Sequence, residues 1–463
     1  MTVLKTGAKI ALKNGGEAEV LEVLGSGGQG TEYRVRYGEG ECALKWYHSG
    51  IFHSPDEAAK FYKNLEDNIA KGAPSDHFLW PLALTMVKDG SFGYLMEIRS
   101  DIYAELTDFF VSTPTRPQVR FRSFVSVASA ALNICEAFRR LHKAGYAYQD
   151  INNGCFFINP NDGDVMICDN DNVSPQGTIL GIMGKQRWMA PEVVTGAHIP
   201  DKFSDRFSLA VVLFRLLFIN HPLEGRYSTP PCMTKKLERK YYGEAPIFIY
   251  DPDDERNRPV PGTDYNLRKF WRVYPQYVRD MFVRAFSQEA LMERESRPIE
   301  TEWLDVLFRF CSSIGRCPHC GGETFYELEP SACIECGRKV EPYAVIQLKN
   351  IELPLFSGMT FYNWQVDSSI ADLGRPAGKV VANPSDKTVL GVRNMMSEAW
   401  NVHLPNGTER QVAPGKPVPV KNGFIVDFPG GRLKALIKKT EELKAAASTQ
   451  ELTADALSEK SEK

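Results

Sequence analysis

Residues 145–173 read GYAYQDINNGCFFINPNDGDVMICDNDNV. Asp150 follows a helix-like pattern that ends in RRLHKAG and falls in a loop; Asp169 comes nineteen residues later, after the apolar run DVMI. A loop carboxylate can accept or orient the proton of an attacking hydroxyl, and a second can hold a magnesium ion that bridges phosphates. A lone loop aspartate is more often a turn or cap residue. The weight therefore rests on what surrounds this pair.

Upstream, LGSGGQGTEYRV places Gly25, Gly27 and Gly30 in a G-x-G-x-x-G between two strand-like runs. Glycines let backbone amides approach nucleotide phosphates without Cβ clashes. A dinucleotide-binding turn has the same spacing but should open a helix, whereas TEYRVRY continues as a strand. Fifteen residues beyond Gly30, CALK puts Lys45 at the end of a second strand, where an ammonium can neutralise phosphate charge; alone it would read as a solvent-facing lysine. Such a lysine needs a carboxylate on the following helix, DEAAKFYKNLEDNIAKG. The order of residues selects Glu66, with Glu57 as competitor. GYLMEIR then ends a strand at Met96, and the backbone of Glu97 and Ile98 suits a linker that hydrogen-bonds an adenine, or simply continues a buried strand.

The series from the glycine loop through Lys45, Asp150 and Asp169 to RWMAPEVV at 187–194 resembles the eukaryotic-like protein kinase family over roughly residues 16 to 310. The resemblance extends to DRFSLAVVLFRLL, where Asp205 matches a structural aspartate, and to ESRP, where Arg297 matches the arginine that pairs with Glu192. It implies an α+β, bilobal domain with a β-rich N-lobe and a helical C-lobe. It further implies ATP with Mg2+ (or Mn2+) as cofactors, Asp150, Lys45 and Asp169 as catalytic residues, and a protein substrate or signalling partner. The wording of DNDNV, MAPEVV, SDRFSLAVVLF and HPLEGR resembles a bacterial branch whose genes often lie beside von Willebrand A and metal-dependent phosphatase genes, which suggests those two as partners.

Several positions depart from the family. Tyr148 and Gln149 stand for its histidine and arginine, so the usual anchor of a phosphorylated activation loop is missing. Asn152 replaces a lysine, which removes a positive charge near the transferred phosphoryl group. Asn170 and Asp171 replace the phenylalanine and glycine of D-F-G. Cys155 occupies the position of a metal-binding asparagine, and a neutral thiol is a poor ligand for magnesium. Asp171, Asn152 and Asn153 supply oxygens nearby that could complete the shell. The expectation is a divergent Ser/Thr kinase; the rivals are a pseudokinase scaffold and an enzyme that transfers another part of ATP.

Beyond 310, CPHCGGETFYELEPSACIECG sets Cys317 and Cys320 against Cys333 and Cys336. Four thiolates at this spacing close a tetrahedral Zn2+ site with no open position, hence a structural zinc ribbon at 311–340. From 341 to 436, short runs such as AVIQL, KTVLGV, WNVHL and FIVDF alternate with turns, which predicts a small all-β sandwich. VRNMMSEAWNVHLPNGTERQVAPGKPVPV resembles a forkhead-associated module, yet GMTFYNWQVD offers no phosphothreonine-reading arginine, so a docking sandwich is expected. Residues 437–463 read as a disordered or helical tail.

Composition sets the outer bounds. The chain of 463 residues carries 55 basic and 58 acidic side chains, a net charge of −3, so no basic field argues for nucleic acid. The longest apolar run, FSLAVVLFRLLFI at 207–219, is too short to span a bilayer and contains Arg215; a buried helix is expected. Without a secretory pattern in MTVLKTGAKIALKNGG, and with six of the ten cysteines scattered, a reducing cytoplasmic location away from membranes is expected.

Overall fold

The computed structural model describes residues 4–112, 117–178, 180–181, 184–348, 351–367, 372, 374–429 and the backbone of 434–439. The chain divides into two compact units. The first comprises residues 1–122, 129–272 and 280–303, the second 123–128, 273–279 and 304–463. The division after residue 303 falls seven residues before the end that the kinase resemblance implies.

The first unit opens with β1 (Lys9–Ala11), β2 (Glu17–Ser26), β3 (Gly30–Tyr37) and β4 (Gly40–Tyr47), then α1 (Pro55–Lys71), β5 (Ala83–Leu84) and β6 (Gly93–Met96). The strands form an antiparallel sheet in the order β1-β2-β3-β4-β6-β5. Alternating apolar residues on β2 and β3 put Ala18, Val20, Tyr33 and Val35 on one buried face. Helix α1 starts where the Ser54 hydroxyl accepts from the Glu57 N–H and Pro55 fixes the first turn. It ends at Gly72, φ +80°. Its buried stripe is Phe61, Asn64, Leu65 and Asn68, a spacing of three and four residues.

Helices dominate the chain from here to residue 313, including the segments 123–128, 273–279 and 304–313 that belong to the second unit. After β7 (Ala104–Glu105) come α2 (Phe124–Lys143), β8 (Tyr146–Ala147), β9 (Phe156–Ile158), β10 (Val165–Ile167) and β11 (Ser174–Pro175). Next are α3 (Pro191–Val194), α4 (Lys202–Phe218), α5 (Lys235–Arg239), α6 (Tyr265–Val273), α7 (Gln276–Ala285), α8 (Gln288–Met292) and α9 (Glu300–Ser313). The apolar run at 207–219 is indeed a buried helix, α4, capped by Asp201. Arg215 is accommodated there by the rings of Phe110 and Trp188, 4.6 and 5.0 Å away. Among the described residues, no helix is long and apolar enough to cross a membrane.

After α9 the second unit continues with two hairpins, β12 (Ile314–Arg316) with β13 (Glu323–Phe325) and β14 (Ser331–Ala332) with β15 (Lys339–Val340). Ten strands follow: β16 (Ala344–Gln347), β17 (Glu352–Leu355), β18 (Thr360–Tyr362), β19 (Pro376–Ala382), β20 (Leu390–Asn394), β21 (Trp400–His403), β22 (Glu409–Val412), β23 (Pro417–Pro419), β24 (Ile425–Asp427) and β25 (Lys434–Lys439). A short helix, α10 (Asn363–Val366), separates β18 from β19. The strands make one sheet ordered β17-β16-β25-β24-β21-β22 and another ordered β18-β19-β20-β23. Trp400, Phe361 and Phe428 share one apolar cluster with Cys317, Tyr326 and Cys333 of the hairpins. Strand β25 runs three residues past the expected end of the sandwich, and the expected tail beyond Lys439 lies outside the described residues.

Candidate functional site

Strand pairing sets the upper side of the site. Lys45 on β4 lies opposite Glu32 on β3 and Tyr94 on β6, with its side chain buried. The glycines of the β2–β3 turn divide by role. A Cβ at Gly30 would sit 2.5 Å from the Trp46 carbonyl oxygen, so Gly30 is required by sheet packing. At Gly25 and Gly27 a Cβ would meet nothing within 4 Å, so these positions border open space. Past β6, Glu97 is exposed, while Ile98 packs partly against the cluster that holds Tyr94 and Met96.

The expected pairing of Lys45 with Glu66 is corrected. Glu66 lies off the buried stripe of α1 and pairs with Lys13 and, at 3.2 Å, with Lys63. Glu57 stays at the helix start, where its carboxylate accepts from the His53 N–H at 2.8 Å. Lys45 Nζ is held instead by Asp169 Oδ1 at 3.0 Å and Asp171 Oδ2 at 2.9 Å. Burial alone would lower the Lys45 pKa, but Asp171 and Asp169 outweigh it and hold it well above the usual lysine value. Asp171, fully buried, also accepts from the Tyr47 hydroxyl at 2.5 Å.

The segment that carries these aspartates is tied on both sides. Asn170, in place of an apolar residue, donates to the carbonyls of Leu79 and Ile167, both at 2.8 Å. Asn64 and Asn68 of α1 donate to the Val173 carbonyl at 2.8 and 2.7 Å. Asp169 itself sits at φ +55°, a conformation that a non-glycine residue keeps only under the constraint of its surroundings. Its side chain remains 41% exposed, while that of Lys45 is 7% exposed.

The loop with Asp150 is positioned from α4. Asp205 accepts from the backbone N–H groups of Tyr148 at 2.6 Å and Gln149 at 3.0 Å. The Gln149 side-chain amide donates to Ser174 Oγ at 2.9 Å and the Thr178 carbonyl at 3.1 Å. Arg297 makes a two-pronged pair with Glu192, both contacts at 2.7 Å, and donates to the Phe203 carbonyl. Burial pushes the Asp150 carboxyl above its ordinary value; Asn152 and Lys185 act against the rise and Asp169 with it.

Cys155 is fully buried, its thiol directed at the Asp150 carbonyl at 3.3 Å. Burial pushes that thiol well above its usual range, so it stays neutral. The amide oxygens expected to compensate are engaged elsewhere. Asn152 accepts from the Gly154 N–H and donates to Asp150, at 3.0 to 3.1 Å. Asn153 donates to Thr107 and accepts from Lys185 Nζ at 3.3 Å. Asp171 Oδ2 is committed to Lys45 and Tyr47, while its buried Oδ1 has no hydrogen-bond partner. The donor set thus offers magnesium the half-exposed Asp169 carboxylate and the unpartnered Oδ1 of Asp171, while the neutral thiol of Cys155 is a poor ligand.

Sequence reasoning missed Tyr47, Glu32 and Lys185. Glu32, two residues past Gly30, is raised by burial and by the charge of Asp169. Lys185 lies in GKQRWMAPE, and the missing charge at Asn152 was the only signal toward it.

In the second unit, the Sγ atoms of Cys317, Cys320, Cys333 and Cys336 lie within 4.8 Å of one another. Cys317–Cys336 and Cys320–Cys333 are each 3.8 Å apart. That is too long for a disulfide and matches the ~3.8 Å edge of a tetrahedron with ~2.3 Å zinc–sulfur bonds. The four thiols therefore fit Zn2+.

Residues 101–258 match the family model described as "Protein kinase domain", a span that holds Asp150, Asp169 and Asp205 and begins after Lys45. No curated protein matches the chain. Among solved structures, it is similar to a double-mutant form of the PknI kinase domain of Mycobacterium tuberculosis, at 17% identity and TM-score 0.44, covering 67% of this chain and 100% of that one. The unmutated PknI kinase domain gives 18% identity and TM-score 0.42, over 66% of this chain and 98% of that one. The first unit contains a protein-kinase-like domain with a β-rich N-lobe and a helical C-lobe.

Proposed function

We propose that the first unit is an ATP-dependent protein Ser/Thr kinase whose Asp169 carboxylate takes its metal. The observation that carries the reading is the buried Lys45 held 3.0 Å from Asp169, below the open glycine turn and beside a loop that Asp205 pins at two backbone amides. Bound magnesium would neutralise charge on the phosphates, and Asp169 is the residue that would hold it. Lys45 contacts the phosphates, and the backbone at Gly25 and Gly27 closes over them. Glu97 and Ile98 present backbone groups to the adenine. A serine or threonine oxygen attacks the γ-phosphorus and the bond to the ADP oxygen breaks, ADP keeping the electron pair. The hydroxyl proton passes to Asp150, whose raised pKa suits a base.

A second reading, a pseudokinase scaffold that binds nucleotide or partners, is favoured by one observation. Cys155 stands at the second metal position, and the side-chain oxygens of Asn152 and Asn153 have other partners. The zinc ribbon and forkhead-associated-like sandwich would bring substrates or partners to the kinase. A von Willebrand A protein and a phosphatase are the partners the sequence resemblance suggests, in a cytoplasmic bacterial signalling unit.

Calorimetric ATP binding beside ADP release to an added protein substrate separates the two readings. Asp150→Ala should keep ATP affinity and lose turnover, and Asp169→Ala should lose the magnesium-dependent part of binding. Wild type that binds ATP and turns nothing over with any Ser/Thr protein supports the scaffold.

A further inference from the structure

The geometry points to Lys185 as a further catalytic residue: its ammonium, supplied by the loop that returns after residue 183, contacts the γ-phosphoryl group in flight beside Asp150. This rests on the kinase reading above. Three observations place it. Gly184, at φ +89°, packs its backbone against the Asp150 loop: a Cβ there would lie 3.3 Å from the Gln149 carbonyl oxygen and 3.8 Å from Asp150 Oδ1. The next residue, Lys185, is therefore delivered to the rim of that loop. Its Nζ donates to Asn153 Oδ1 at 3.3 Å, within the same short loop that carries Asp150. Lys185 is exposed, so its charge is free to meet an incoming anion, whereas Lys45 is buried and already faces two carboxylates.

The chemistry asks for such a group. As the phosphorus–oxygen bond to ADP breaks and the bond to the substrate oxygen forms, negative charge spreads over the three equatorial phosphoryl oxygens. The substrate proton goes to Asp150 and the electron pair leaves with ADP; Lys185 exchanges neither proton nor electrons. A cation placed at those oxygens stabilises the transition state more than the ground state. Asn152, where the resemblance expects a lysine, has its amide occupied by Asp150 and Gly154 and cannot supply that charge. The positive charge has moved from the loop of Asp150 to the neighbouring loop that packs on it.

Lys185→Gln and Lys185→Arg in the full-length chain test this. Turnover is read beside the calorimetric affinities for ADP–magnesium and for ADP–magnesium with aluminium fluoride, which mimics the phosphoryl group in flight. Lys185→Gln should lower kcat by about 100-fold with the KM for ATP unchanged. It should weaken the aluminium fluoride complex while leaving ADP affinity as in wild type, and Lys185→Arg should recover most of both. Active wild type with Lys185→Gln equally active, or Lys185→Gln weakening both complexes alike, or Lys185→Arg as impaired as Lys185→Gln, overturns the assignment. Wild type without turnover overturns the kinase reading itself; a Lys185→Gln effect confined to the aluminium fluoride complex then still locates the charge.

Discussion

Replacing Asp171 by asparagine removes one charge from a buried cluster while keeping its shape. Lys45 Nζ lies 2.9 Å from Asp171 Oδ2. At an effective dielectric of about 20, the direct attraction over that distance is about 6 kcal/mol. Much of this is returned: the amide no longer bears the desolvation cost of a buried carboxylate, and Asp169 still faces the ammonium at 3.0 Å. The Tyr47 hydroxyl exchanges a charge-assisted bond for a neutral one. The net loss should be about 3 kcal/mol, at the lower end of the cost of breaking a buried pair. For a unit of about 290 residues that lowers the thermal midpoint by roughly 5 °C. Differential scanning calorimetry of Asp171→Asn beside Glu66→Ala measures it. Glu66 is on the surface, paired with Lys13 and Lys63, and its removal should leave the transition in place. An unchanged midpoint for Asp171→Asn, together with a large drop for Glu66→Ala, would refute the placement of Lys45.

Metal analysis of the purified chain should find about one zinc per molecule, and Cys317→Ser with Cys320→Ser should abolish it; zinc-free wild type sinks the ribbon. Because Cys317 and Cys333 share a core with Trp400, chelation should also lower the unfolding transition of the second unit, read by Trp400 fluorescence in a variant lacking the other tryptophans. Burial opposes protonation of His142, yet Asp205 and Glu300 hold it up at about 9. Its stabilising contribution is complete below about 6.5 and is lost as pH rises through about 9, so urea midpoints should fall across that window and His142→Gln should flatten the fall. Burial would raise Glu300, but His142 and Arg206 draw it down to about 2, so its contribution is lost as pH falls from 4.5 toward that value.

Where a residue's role follows from spacing along the chain, the sequence is readable. The glycine turn, Lys45, Asp150 and Asp169 and the cysteine pairs are recognisable because loops and strands of set length separate them. The apolar run at 207–219 is recognisable because a helix buried all round has no polar face. Pairing across 124 or more residues is another matter. Nothing local to CALKWY or DNDNV says that Tyr47 and Lys45 both close on Asp171. Order along α1 points to Glu66, whereas the helix face does not. The buried stripe Phe61, Asn64, Leu65, Asn68 was legible at helical spacing and leaves Glu66 outside it. The two stripe asparagines were the sign that α1 meets a backbone carbonyl, that of Val173, rather than a lysine. Lys185 was invisible for the same reason, since its position depends on how a loop folds back on Asp150.

The central claim is transfer of the terminal phosphate of ATP by the site that Asp150 and Asp169 form. Incubation of the full-length chain and a Ser/Thr-containing protein substrate with magnesium and ATP, labelled in separate samples at the γ and α phosphates, tests it most directly. The account predicts γ label on serine or threonine, lost in both Asp150→Ala and Asp169→Ala. Incorporation of α label, or γ label that survives Asp150→Ala, would contradict it.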